Sequence, residues 1–137
     1  ILILGLIKRA TKLPSHPELK KRLETLHGEI KEFMEEGKGE EKSSYDYFRQ
    51  MEKCAGKANK LAYTVTLMAQ RERDGNLDGI ASLMTEIYDC IAPYKFKTKE
   101  TQDLSRLEQA LDKAEKAIAS IDLILERDRD LRAKHVR

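Results

Sequence analysis

Apolar residues recur along most of this chain at alternating steps of three and four. Leu19, Leu23, Leu26, Ile30 and Phe33 form one series. Met51, Cys54, Ala58, Leu61, Val65 and Met68 form a second, and Leu104, Leu107, Leu111, Ala114, Ile118, Ile121 and Leu125 a third. Such steps follow the turn of an α-helix and place each series on one face, so each helix must bury a seam against its neighbours. A shorter series, Leu77, Ile80, Ala81, Met84, Ile87, Tyr88 and Ile91, marks one more helix. No alternation of period two persists and no repeat of fixed length is present, so the chain is expected to be all-α.

The punctuation between the series sets the helix ends. Ser15 followed by Glu18 makes a capping-box pattern, and Pro17 is tolerated in a first turn, so the first helix is expected at about 17–36. Gly37 and Gly39 stop it. Ser43 or Ser44 opens a long second helix to about 74, where Asp74-Gly75-Asn76 signals a turn. The third helix, about 77–92, ends at Pro93. Thr98 or Thr101 caps a long fourth helix at about 100–132, whose last turns beyond Glu126 become almost pure charge and are expected to fray or to project into solvent.

Four helices with short connections predict an up-down-up-down bundle; a three-helix array with a side helix is the alternative. The expected division is a short apolar and basic segment, 1–14, and a helical bundle, 15–137. Small residues cluster in the second helix (Cys54, Ala55, Gly56, Ala58, Ala62) and in the fourth (Ala110, Ala114, Ala117). Small side chains let backbones approach closely, so these two patches are expected to touch, with Gly56 at the contact.

Composition fits that picture. The 137 residues suffice for one hydrophobic core, and 36% charged residues with no Trp fit a protein of long helices. The net charge of +2 creates no global field that would favour nucleic acid. Cys54 and Cys90 both fall on seams and are expected to be small core residues, with an interhelical disulfide as the alternative.

Candidate chemistry is sparse. Glu24 and His27 have the Glu-x-x-His spacing of di-iron bundles, but such sites need a second motif and further inward carboxylates. Gly37-Lys38-Gly39 is too short for a phosphate loop and follows a helix. No Cys has a His nearby in sequence to activate it. Glu86 and Asp89, taken with Glu29, Glu32, Glu35 and Glu36, are superficially similar to the carboxylate clusters of the all-α nucleotide pyrophosphohydrolases. That resemblance implies Mg²⁺ held against a polyphosphate. Carboxylates on a helix are ordinarily its solvated face, so the chain is not expected to be an enzyme, and no cofactor or metal is expected.

What the seams leave over is the N-terminal segment, a basic-aromatic connector and the charged tail. Residues 1–7 are wholly apolar and are followed by Lys8, Arg9 and Lys12. The segment is expected to pack on the bundle; alternatively it adjoins a membrane anchor N-terminal to residue 1, with those cations against anionic lipid. Tyr94, Lys95, Phe96, Lys97 and Lys99 form the connector, the other candidate binding site. The expected function is a non-catalytic interaction, scaffold or assembly module that meets a protein partner or a second copy through a helix face or bundle end, with Leu67, Leu83 and Leu123 as apolar candidates. The expected location is cytoplasmic, or membrane-associated with a cytoplasmic domain.

Overall fold

A computed structural model describes residues 13–37, 44–95 and 103–135. Four α-helices account for most of them: α1 (His16–Gly37), α2 (Ser44–Glu72), α3 (Gly75–Ile91) and α4 (Ser105–His135), with a 3₁₀ turn at Ala92–Lys95 between the last two. Among the described residues there is no strand. α2 packs closely on α3, α3 on α4, and α4 on α1, while α1 meets α2 only lightly. This ring of consecutive neighbours is the expected four-helix up-down-up-down bundle, and α3 is an integral member of it rather than a side helix.

The core follows the sequence seams on three helices. Leu19, Leu23, Leu26, Ile30 and Phe33 of α1 are buried, as are Met51, Cys54, Ala58, Leu61, Val65 and Met68 of α2. On α3, Leu77, Ile80, Ala81, Met84, Ile87 and Ile91 are buried with Cys90, whereas Tyr88 is only half-covered. Both cysteines are buried free thiols.

On α4 the seam differs from the expected one. The residues facing the centre are Leu107, Ala110, Ala114, Ala117, Ile121 and Ile124. Leu104, Leu111, Ile118 and Leu125 lie on the flank, half-buried. Both sets repeat every seven residues, so apolarity alone does not choose between them. Three of the six central residues are alanines, between Leu107 at one end and Ile121 and Ile124 at the other, and Leu111, Ile118 and Leu125 cover the flank toward α1.

The small-residue patches of α2 and α4 do not form a helix–helix interface: these two helices make at most a marginal contact. In an up-down-up-down ring the second and fourth helices lie across the diagonal, and each patch serves its ring neighbours instead. Ala55, Ala62 and Ala69, seven apart, line the flank of α2 that packs on α3. Gly56 is exposed, and open space surrounds the position a Cβ would take, so no close approach requires it.

The helix ends correct the expected boundaries. The Glu18 N–H donates to Ser15 Oγ at 3.3 Å, as the cap pattern implies, but the Glu18 carboxylate turns forward to Arg22. The turn between α2 and α3 is at Arg73, in the left-handed region with φ 53°, and the Asp74 N–H reaches back to the Ala69 carbonyl at 3.2 Å, a Schellman closure. Asp74 then caps α3 by accepting from the Asn76 N–H at 2.9 Å, so Gly75 already belongs to the helix. Pro93 does not end the chain's turning; it sits within the 3₁₀ turn. α4 starts at Ser105, its N–H bound by the Asp103 carboxylate at 2.9 Å, five residues later than expected. Of the two outcomes expected for its charged last turns, the second is seen: the helix continues to His135 with residues 129–134 exposed to solvent.

Candidate interaction surfaces

The charged side chains are organised at one end of the bundle and along two edges. At the end where α1 begins, α2 ends, α3 begins and α4 runs out, one polar chain ties all four helices. His16 Nδ1 meets Asp128 Oδ2 at 2.5 Å and His16 Nε2 meets Glu72 Oε1 at 2.7 Å. Arg127 donates to Asp74 at 2.8 Å and approaches Asp128 at 3.6 Å. A neutral imidazole has one N–H donor, so two carboxylates can both be satisfied only by the imidazolium. Burial alone would lower the His16 pKa, but the hydrogen bonds to Asp128 and Glu72 and their charges outweigh it and hold the pKa above the ordinary value. For Asp74, partial burial works upward, yet the Arg127 hydrogen bond and the backbone N–H groups bring it below the usual carboxylate range. A depression of about 780 Å³ lies over this end, lined in part by Leu13, Pro14, Leu125, Leu131 and Arg132.

The α1–α4 edge is laced by polar pairs in antiparallel register. Besides His16–Asp128, Lys20 meets Asp122 at 2.7 Å and His27 meets Glu115 at 3.2 Å. Half-buried Leu111, Ile118 and Leu125 lie on the same flank of α4, so this edge is closed.

The α1–α2 edge is different. A groove of about 410 Å³ runs along it, lined by Glu18, Lys21, Arg22 and Thr25 of α1 and by Lys57, Lys60 and Leu61 of α2. The Lys57–Glu29 ion pair bridges the two helices beside it. Leu61 supplies an apolar floor, and four of the seven lining residues are cations. Beyond the groove, Arg49 and Lys53 continue the basic series along α2. Lys53, Lys57 and Lys60 were not legible as a site from apolar periodicity. The signal that marks them is a second periodicity, of cations at 49, 53, 57 and 60.

The residues singled out in the sequence fall elsewhere. Lys8, Arg9, Lys12, Phe96, Lys97 and Lys99 lie outside the described residues, as do residues 1–7 and the two threonines expected to cap α4. Tyr94 is buried, with its hydroxyl donating to the Asp103 carbonyl, so it anchors the connector to the core. The Lys95 ammonium lies 5.8 Å from the centre of the Tyr88 ring, a cation–π contact. Leu67 and Leu83 are half-buried and Leu123 is exposed.

The residues weighed for catalysis are dispersed. Glu86 pairs with Lys113 of α4, whereas Glu29 pairs with Lys57 of α2, and α1 and α3 face each other across the diagonal. His27 engages Glu115, and Glu24 is exposed beside it. Burial, with the nearby Glu29 carboxylate, pushes the Cys54 thiol up to about 11, and burial also raises Cys90, so neither is poised as a thiolate. Among the described residues no group of three or more His, Cys, Asp or Glu could hold a metal ion, and no helix is long and apolar enough to cross a membrane. Neither a protein-family model nor a curated protein nor a solved structure matches the chain.

Proposed function

We propose that this chain is a non-catalytic helical-bundle interaction module and that the α1–α2 edge is its working surface. The observation that carries the reading is the basic groove on that edge. Consecutive helices ordinarily close on each other, yet here α1 and α2 touch lightly and leave about 410 Å³ between them. Two parallel ridges with a Leu61 floor offer a partner helix the geometry of helix-in-groove recognition. The lysine and arginine stems add apolar walls while their charged heads select for an acidic partner. Two buried thiols on different helices, neither paired, suit a reducing compartment, which favours the cytoplasmic side of the cell as the location.

Site-directed photo-crosslinking tests the reading. A photoreactive side chain at Lys60 in the groove is expected to capture a macromolecular partner, whereas the same group at exposed Ser82 on α3 is expected to capture none. Equal capture at both positions, or none at Lys60, would contradict it.

A further inference from the structure

We infer that the partner is a second copy of this chain, and that copies associate head to tail, the outer face of α4 from one seated on the α1–α2 edge of the next. The inference rests on the reading of that edge as an interaction surface and names its occupant.

Charge placement points to this occupant. Arg49, Lys53, Lys57 and Lys60 recur along α2 at steps of four, four and three, and Lys21 and Arg22 face them from α1; Arg22 pairs with Glu18 and Lys57 with Glu29, so the excess positive charge rests on Lys21, Arg49, Lys53 and Lys60. On α4, Glu108, Asp112, Glu115, Asp122 and Glu126 are all exposed and fall on one outer stripe, with exposed Ala119 at the step that lacks an acid. Members of that stripe lie seven residues, or the helical steps of three and four, from the next, and Lys116, four residues from Asp112, is the cation at its border. Glu115 and Asp122 also reach sideways to α1, and Asp112 to Lys116, but the three acidic side chains remain 65%, 49% and 62% exposed. α2 and α4 occupy opposite corners of the ring, so the basic side and the acidic side point away from each other. A chain with a small net charge of +2 thus carries two separated fields of opposite sign.

That polarity decides the symmetry. A two-fold dimer built on either face would set like charges together, which is costly. Only a heterologous contact, basic face to acidic face, brings opposite charges together. Such a contact leaves one free face of each sign and continues into an open chain unless its rotation closes a ring. Leu123, 66% exposed beside Asp122, gives the acidic face an apolar knob, and Leu61 in the groove gives the basic edge a floor to receive it.

Sedimentation and light scattering on the whole chain test this, using two charge-reversal variants. Lys53→Glu/Lys60→Glu removes the basic face, and Glu108→Lys/Glu126→Lys removes the acidic one. Among the described residues none of these four side chains makes an ion pair, and circular dichroism checks that each variant folds. At low salt the unaltered chain is expected to grow in mass with concentration past the dimer. At about 0.5 M salt, where the screening length falls to ~4 Å, it is expected to return to 15.8 kDa. Each variant alone is expected to stay monomeric, and an equal mixture of the two to associate again. A monomer at low salt, a closed two-chain species, or association that ignores salt and both reversals would overturn the inference. A monomer that nonetheless captures another protein through Lys60 would overturn the inference alone and leave the interaction reading standing.

Discussion

The two flanks of α2 are made of different residues, and the bundle is closed on one and open on the other. Toward α3 the flank repeats Ala55, Ala62 and Ala69; toward α1 it repeats Gln50, Lys57, Thr64 and Arg71. Between them runs one continuous apolar seam, so the centre of the helix does not distinguish its neighbours. Alanines allow interaxial approach toward the short end of the usual range of about 8–10 Å. Long polar side chains on the other flank extend over the gap, where Lys57 reaches across to Glu29. The flank residues, not the core residues, therefore decide which pair of consecutive helices is sealed and which presents a groove.

This contrast is breakable, and the largest effect should come from the sealed side. Met84 on α3 is fully buried, and Met84→Ala is expected to lower stability by about 2–5 kcal/mol in urea denaturation. Widening the close flank is next. Ala55→Leu is expected to cost about 1–3 kcal/mol, because the added volume must force α2 and α3 apart. On the open flank Lys57→Leu is expected to change stability by less than ~1 kcal/mol, since it loses only a part-exposed ion pair. Equal costs for the two leucines would erase the distinction between the flanks.

The polar chain at the bundle end holds α1 to α2 and α4 where the α1–α2 edge is otherwise loose. His16→Gln is expected to remove about 1–2 kcal/mol, a value below that of fully buried charge-assisted hydrogen bonds because the site is partly solvated. The sign with pH follows from the raised native pKa. The stabilisation is fully present below the unfolded value near 6.5 and is lost as pH rises through the native value, so the two proteins should converge in stability on the alkaline side. A difference that grows toward high pH would contradict the bridging imidazolium. The smallest effect is at Arg73, the turn that joins the sealed pair α2 and α3. Arg73→Gly is expected to raise stability by up to ~1 kcal/mol by relieving the left-handed backbone.

The fold was largely legible in the sequence because burial of a helix seam leaves a periodic trace, and the traces of α1, α2 and α3 coincide with their buried faces. On α4 the expected seam and the buried face share Leu107, Ala114 and Ile121 but differ in the other half, since Leu104, Leu111 and Ile118 look more apolar than the Ala110 and Ala117 that lie at the centre. Only the neighbours' geometry reveals which set faces the centre. The turn at Arg73 leaves no mark of its own in the sequence, because Asp74-Gly75-Asn76 signals a turn just beyond it and arginine is not a residue that favours the left-handed region. The proposed interaction surface is less legible still. Its cations are not contiguous in sequence; α1 and α2 bring them together, and the meaning of the acidic stripe on α4 depends on its lying across the diagonal from them.

A dilution series followed by residue-resolved NMR reads both charged faces of the bundle at once. Head-to-tail association predicts concentration-dependent shifts at Lys21, Arg22 and Lys60 and, together with them, at Glu108, Asp112 and Glu126, with Ser82, Thr85 and Asp89 of α3 unmoved. Shifts centred on α3, or on only one of the two charged faces, would contradict it.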